Sequence, residues 1–144
     1  MNEKYKTFTV LMASINRSIR KIKNREMAEY DLRSAHVSCL YYLYTGISLT
    51  ATDLCERCEE DKATISRAVE YLENNGFLTC RSQHTKRYKS PLALTEKGKE
   101  AGKKIADKID GVLDAVSTEL TEAERESFYR SLSLISESLE KLSK

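Results

Sequence analysis

The sequence predicts a mainly helical fold with one small β element, an α+β chain, and three observations carry that expectation. One Pro and five Gly among 144 residues leave long helices free to form almost anywhere. Apolar residues recur at helical, heptad-like steps near both ends. Between them the signals change to short, closely spaced elements, closing on two short apolar alternations around a basic loop. The length suits a single domain that builds its own core. A composition of 40% hydrophobic and 32% charged residues excludes both a membrane-embedded chain and a disordered one.

The elements follow in order. Tyr5, Phe8, Met12, Ile15, Ile19 and Ile22 alternate at steps of three and four, a seam along one face of a first helix. Residues 34–45 carry Val37, Leu40, Tyr41 and Tyr44 as a second helical stripe that stops at Gly46. Thr50 with Asp53 reads as a capping box, and the short helix behind it should end near Cys58. Asp61 then caps a helix bearing Ile65, Val69 and Leu72, stopped by Asn75-Gly76. Residues 77–81 and 92–95 alternate as strands. Thr95 caps a longer helix through Ala101, Ile105, Ile109, Val112, Val116 and Leu120. Thr121 with Glu124 opens the last helix, whose seam is Phe128, Leu132, Ile135, Leu139 and Leu142.

Helix, short helix, three-residue turn, helix and ribbon is the order of a winged helix-turn-helix, with the turn at Glu59 to Asp61. The second helix of such a pair enters the DNA major groove, its first residues reaching base edges. Here those residues are Lys62, Thr64, Ser66 and Arg67. With 65, 69 and 72 facing inward, Thr64 and Arg67 share the outer side about one turn apart, with Ser66 and Lys62 beside them. Arg67 suits bidentate contact with guanine, because its fork matches the O6 and N7 acceptors. Lys86, Arg87 and Lys89 in the loop 82–90 form a basic wing tip for phosphates or a narrow minor groove.

Charge is distributed accordingly. Residues 35–61 hold one basic and five acidic side chains, whereas residues 62–90 hold six basic and two acidic. A positive block beside a negative one suits a polyanion partner better than the total of +2 suggests.

The segment from Leu32 to Gly98 resembles the MarR family of transcriptional regulators. The residues that carry the resemblance are Asp53-Leu54, Asp61-Lys62, Thr64-Ile65-Ser66-Arg67, Leu72-Glu73-Asn74-Asn75-Gly76-Phe77-Leu78 and Leu94-Thr95-Glu96-Lys97-Gly98. The resemblance implies a homodimeric repressor or activator on a pseudo-palindromic operator in double-stranded DNA. Residues 1–144 would form one MarR-like domain, with 1–30 and 96–144 as dimerisation helices and 32–95 as the DNA-binding region. It further implies Arg87 as the wing Arg and modulation by a small aromatic or lipophilic effector. Three positions depart from the pattern. Glu59 stands where the turn is usually small, Glu60 where it is usually apolar, and Lys86 where an acidic residue usually precedes the wing Arg.

Cys55, Cys58, Cys80 and His84 are spaced like zinc ligands, yet the two helical cysteines fall where such a helix carries core residues. Buried, reduced thiols are the first expectation. A thiol- or zinc-responsive regulator using Cys55, Cys58 and Cys80 is the alternative, together with a winged-helix protein-interaction module that does not bind DNA. Tyr41, Tyr42 and Tyr44, with Tyr5, Phe8 and Tyr30, serve packing first and an aromatic-effector pocket second. No nucleotide-binding, nucleophile-elbow or triad pattern is present, so neither an enzyme nor a cofactor is expected. Without an apolar run of signal-peptide or membrane-spanning length, the expected location is the cytoplasm.

Overall fold

The computed structural model describes residues 3–80 and 89–144. Six α-helices and one two-stranded antiparallel ribbon are present among them: α1 (Glu3–Glu26), α2 (Ser34–Thr45), α3 (Ala51–Cys58), α4 (Lys62–Asn74), β1 (Leu78–Cys80), β2 (Leu92–Leu94), α5 (Glu96–Val116) and α6 (Glu122–Leu142). A single 3-10 turn at Ala28–Tyr30 links α1 to α2. The chain divides into two compact units, residues 1–108 and 109–144, with the division inside α5.

Local chemistry places most boundaries where the sequence puts them. Thr50 accepts the Asp53 backbone N–H while the Asp53 carboxylate accepts that of Thr50, so both ends of the capping box are closed. Asp61 Oδ1 accepts from Thr64 N at 2.7 Å and starts α4. At its other end Gly76 takes φ 78°, and Phe77 N donates to Leu72 O at 2.8 Å, a Schellman closure. Thr121 and Glu124 form the reciprocal box of α6. Thr95 Oγ1 accepts from Gly98 N at 3.1 Å at the head of α5.

In the first unit, Leu40, Leu54, Ile65, Leu72, Leu78 and Ile105 are fully buried, with Val37 and Val69 beside them. Fully burying each such side chain contributes about 1.5–3 kcal/mol, and this shared core holds α2, α3 and α4 as one body. The ribbon pairs Leu78 with Leu94 and Cys80 with Leu92, and Leu92 N also donates to Leu49 O, tying the wing base to the α2–α3 loop. Of the α2 stripe, Tyr41 is half-buried and Tyr44 exposed; the core positions go instead to Ser38 and Cys39. The helix buries a face rotated by about one residue from the expected one, because it must meet both α1 and α4.

Along α1, Phe8, Met12 and Ile22 are half-buried, while Ile15 and Ile19 are 47% and 43% exposed. In the second unit, α6 buries no residue, and Phe128, Ile135, Leu139 and Leu142 all stand open. Both seams are therefore left largely uncovered by the single chain. No helix among the described residues is long and apolar enough to cross a membrane.

Candidate nucleic-acid interface

The outward face of α4 is set by what its inward face must do. Ile65, Ala68, Val69 and Leu72 are buried, so helical geometry turns Lys62, Ala63, Ser66, Arg67 and Glu70 outward. Thr64 is half-buried between the two faces. Lys62, Ser66 and Arg67 are exposed, and Arg67 Nη2 lies 3.5 Å from Thr64 Oγ1, a long contact that leaves the guanidinium fork pointing away from the core. All four residues chosen from sequence thus share the first two turns of one helix.

The α4 N-terminus adds partial positive charge beside this face. The Asp61 carboxylate offsets part of it. Hydrogen bonds from Thr64 hold that carboxyl below its usual range, and it stays ionised as the cap. The turn before it runs through Glu59 at φ 52°, ψ 42°, the left-handed region that favours glycine. That explains why a small residue suits this position. Here the helix end absorbs the strain, with the Glu59 and Glu60 N–H groups both donating to Cys55 O. Glu59 is exposed and Glu60 half-buried, so the turn adds carboxylates beside the basic face.

Of the wing residues, Lys89 is exposed next to the buried Ser90. Lys86, Arg87 and His84 lie outside the described residues.

A brace behind α4 is not legible from the sequence. His36, in the first turn of α2, stacks on Tyr71 of α4 with ring centroids 4.3 Å apart and planes inclined 22°. His36 Nδ1 accepts from Arg33 N at 3.0 Å, and the Tyr71 hydroxyl donates to Asp31 O at 2.7 Å. The accepting Nδ1 requires the neutral ring with its proton on Nε2. Burial, then the Arg33 charge, push the His36 pKa below its usual 6.5, against a smaller opposing effect of Asp31. A depressed folded-state pKa means that the unfolded chain binds the proton more readily. The stability contribution is therefore complete above about pH 6.5 and falls as pH drops toward the folded-state value. The urea midpoint should decrease between pH 7 and pH 5, and His36→Gln should flatten that decrease. A His36→Gln profile parallel to the wild type would show that His36 does not carry it.

The thiols are less deeply placed than expected. Cys39 is buried, but Cys55, Cys58 and Cys80 are only half-buried, because Leu54 takes the core position of α3. Among the described residues no group of three or more His, Cys, Asp or Glu is arranged to hold a metal ion. An open cavity of about 310 Å³ lies between α2, β2 and α5, lined by Leu43, Tyr44, Leu92, Ala93, Leu94 and Lys99. Tyr44 is its one contribution from the tyrosine group; Tyr41 and Tyr42 meet each other edge to face, and Tyr30 pairs with Lys104.

The comparisons with known proteins agree with this architecture. The MarR family model matches residues 30–87, from the end of the 3-10 turn to the wing. No curated protein matches the sequence. Among solved structures, a Staphylococcus aureus MarR in complex with salicylate and kanamycin superposes with a TM-score of 0.82 at 18% identity, covering 95% of this chain and 93% of its own. The S. aureus MepR–DNA complex gives 0.80 at 21% identity, over 92% of this chain and 97% of that one. A further MarR crystal structure gives 0.77 at 26% identity, over 93% and 91%. The family match over residues 30–87, joined to a fold shared along nearly the whole chain, shows a winged helix-turn-helix fold similar to that of MarR-family transcriptional regulators.

Proposed function

We propose that this protein is a homodimer that binds a pseudo-palindromic operator in double-stranded DNA and regulates transcription by occupying it. The observation that carries the reading is the outward face of α4, where Lys62, Ser66 and Arg67 stand exposed over a rigid apolar core, with Thr64 at its edge. Arg67 reads a base edge in the major groove, and Lys62, Thr64 and Ser66 divide between phosphates and bases. Lys86, Arg87 and Lys89 neutralise phosphate at the wing or enter the minor groove. The S. aureus MepR structure, solved with DNA, supports the same use of this fold.

Residues 1–30 and 96–144 supply the dimer contacts. The open seams of α1 and α6 support this, since exposed apolar stripes of such length mark a surface that a partner covers. Two-fold symmetry then sets two α4 helices on half-sites roughly 34 Å apart, one helical turn of DNA. A small aromatic or lipophilic effector modulates the complex, as the salicylate-bound S. aureus MarR suggests by analogy.

The test is fluorescence anisotropy of the purified protein on duplexes tiling the DNA upstream of its own gene, at two salt concentrations. One tile bound far more tightly than the rest, with steep salt dependence, is the expected result. Uniformly weak binding to every duplex, by a protein that sediments as a dimer, would instead favour a module for protein contacts. On the tight tile, Arg87→Ala should weaken binding and reduce the slope of log K against log salt by about 1. An unchanged slope would remove Arg87 from the phosphate contacts.

A further inference from the structure

Asn75 and Gly76 close α4, and the junction between them is open to water. Asn74, Asn75 and Gly76 are exposed, and a Cβ built on Gly76 would meet nothing within 4 Å. Without a side chain, Gly76 leaves its backbone nitrogen unshielded from the Asn75 side-chain carbonyl, so the two can close a cyclic imide. Asn16, Asn24 and Asn74 precede Arg17, Arg25 and Asn75, whose side chains crowd the same attack. The folded cap holds the reacting groups apart. At ψ 11° for Asn75 the Gly76 nitrogen nearly eclipses the Asn75 nitrogen, about a third of a turn around the Cα–C bond from the side chain. Asn75 Nδ2 donates to Tyr71 O at 2.8 Å, Gly76 N to Glu73 O at 3.1 Å, and Lys97 Nζ to Asn75 O at 2.8 Å. We propose that Asn75 is a site of spontaneous deamidation, gated by the opening of this cap.

The reaction needs no co-reactant but water. With the cap open, the Gly76 nitrogen gives up its proton to solvent and attacks Asn75 Cγ. The N–Cγ bond forms, the Cγ–Nδ2 bond breaks, and Nδ2 leaves as ammonia after taking a proton from solvent. Water then opens the imide at either carbonyl. Attack at Cγ restores the ordinary chain with an aspartate at position 75. Attack at the backbone carbonyl carbon breaks its bond to the Gly76 nitrogen and leaves the main chain running through Cβ and Cγ. Both products disturb the end of α4. The aspartate sets a carboxylate against Tyr71 O, which Nδ2 satisfies in the intact chain, and beside the negative pole of the helix. The rerouted chain lengthens the link across which Phe77 N reaches Leu72 O and Thr95 Oγ1 reaches Gly76 O, so the register that delivers β1 is lost. Gly76 cannot be exchanged without strain, because its φ of 78° is left-handed. The conformation that stops α4 thus carries the chemical liability with it.

The test incubates the full chain in native buffer and in guanidinium chloride, without DNA, and follows its tryptic peptides by mass spectrometry. Its result is therefore independent of what α4 binds. The expected product in both conditions has exchanged ammonia for water at Asn75, distinguished from the adjacent Asn74 by fragment ions. Guanidinium chloride should speed the conversion about tenfold or more, because the cap shields the site only while it is folded. Lys97 Nζ also lies 4.4 Å from the centre of the Phe77 ring, and Lys97→Met keeps an apolar chain there while removing the bond to Asn75 O. That variant should convert about threefold to tenfold faster than the wild type in native buffer. In guanidinium chloride the two should convert at one rate. Equal rates for the folded and unfolded wild type, or an unchanged native rate in Lys97→Met, would remove the gate. Conversion confined to the unfolded chain, or faster at Asn74 than at Asn75, would overturn the site itself.

Discussion

Replacing Gly98 with Ala is expected to destabilise the first unit by about 3 kcal/mol or more, enough to leave a marginal domain largely unfolded. A Cβ on Gly98 would sit 1.9 Å from the Phe77 carbonyl oxygen and 3.0 Å from Leu94 Cδ2. The carbonyl cannot retreat easily, because it already accepts from Thr95 N at 3.1 Å in the turn that delivers β2 into α5. Ala would gain roughly 1 kcal/mol of helix propensity over Gly, and the clash with backbone outweighs it. Gly111, in the same helix, is the control. It is exposed, and a Cβ there meets nothing within 4 Å, so Gly111→Ala should raise stability by about 0.5–1 kcal/mol. Chemical denaturation of the two variants reads both effects. A Gly98→Ala protein as stable as the wild type would show that α5 does not pack against the wing base as described.

The second large effect is on recognition. Arg67→Ala should cost about 1–3 kcal/mol of discrimination at one base step, roughly tenfold to a hundredfold, while leaving the fold intact because the side chain is exposed. Arg67→Lys keeps the charge but loses the fork, so it should recover nonspecific affinity without the discrimination. Competition between operator duplexes differing at a single base pair measures the difference. Equal weakening on every sequence would assign Arg67 to phosphate instead and leave base reading to Thr64 or Ser66.

Much of the fold was legible because its signals are local. Thr50, Asp61, Thr95 and Thr121 each bond a backbone N–H three residues on, so the cap residue and the boundary it sets lie within one short stretch. The outward face of α4 was legible for the same reason. Once Ile65, Val69 and Leu72 are inside, the 3.6-residue period leaves few positions for Lys62, Ser66 and Arg67. The α2 stripe was harder to place, since an apolar Tyr satisfies the period whether or not the neighbours cover it, and Tyr44 is left exposed.

The sequence by itself determined the number and order of helices, their caps, the basic face of α4 and the two apolar seams, all properties of residues within a turn or two of one another. Tertiary structure decided which side chains from distant segments share a site. His36 meets Tyr71 across 35 positions, and Lys23 bonds Ser38 from another helix. Spacing along the chain suggested a Cys55–Cys58 motif. Packing left both half-buried and put Cys39 in the core, because the rotation of a helix about its own axis is set by the neighbours it must bury and not by its own period.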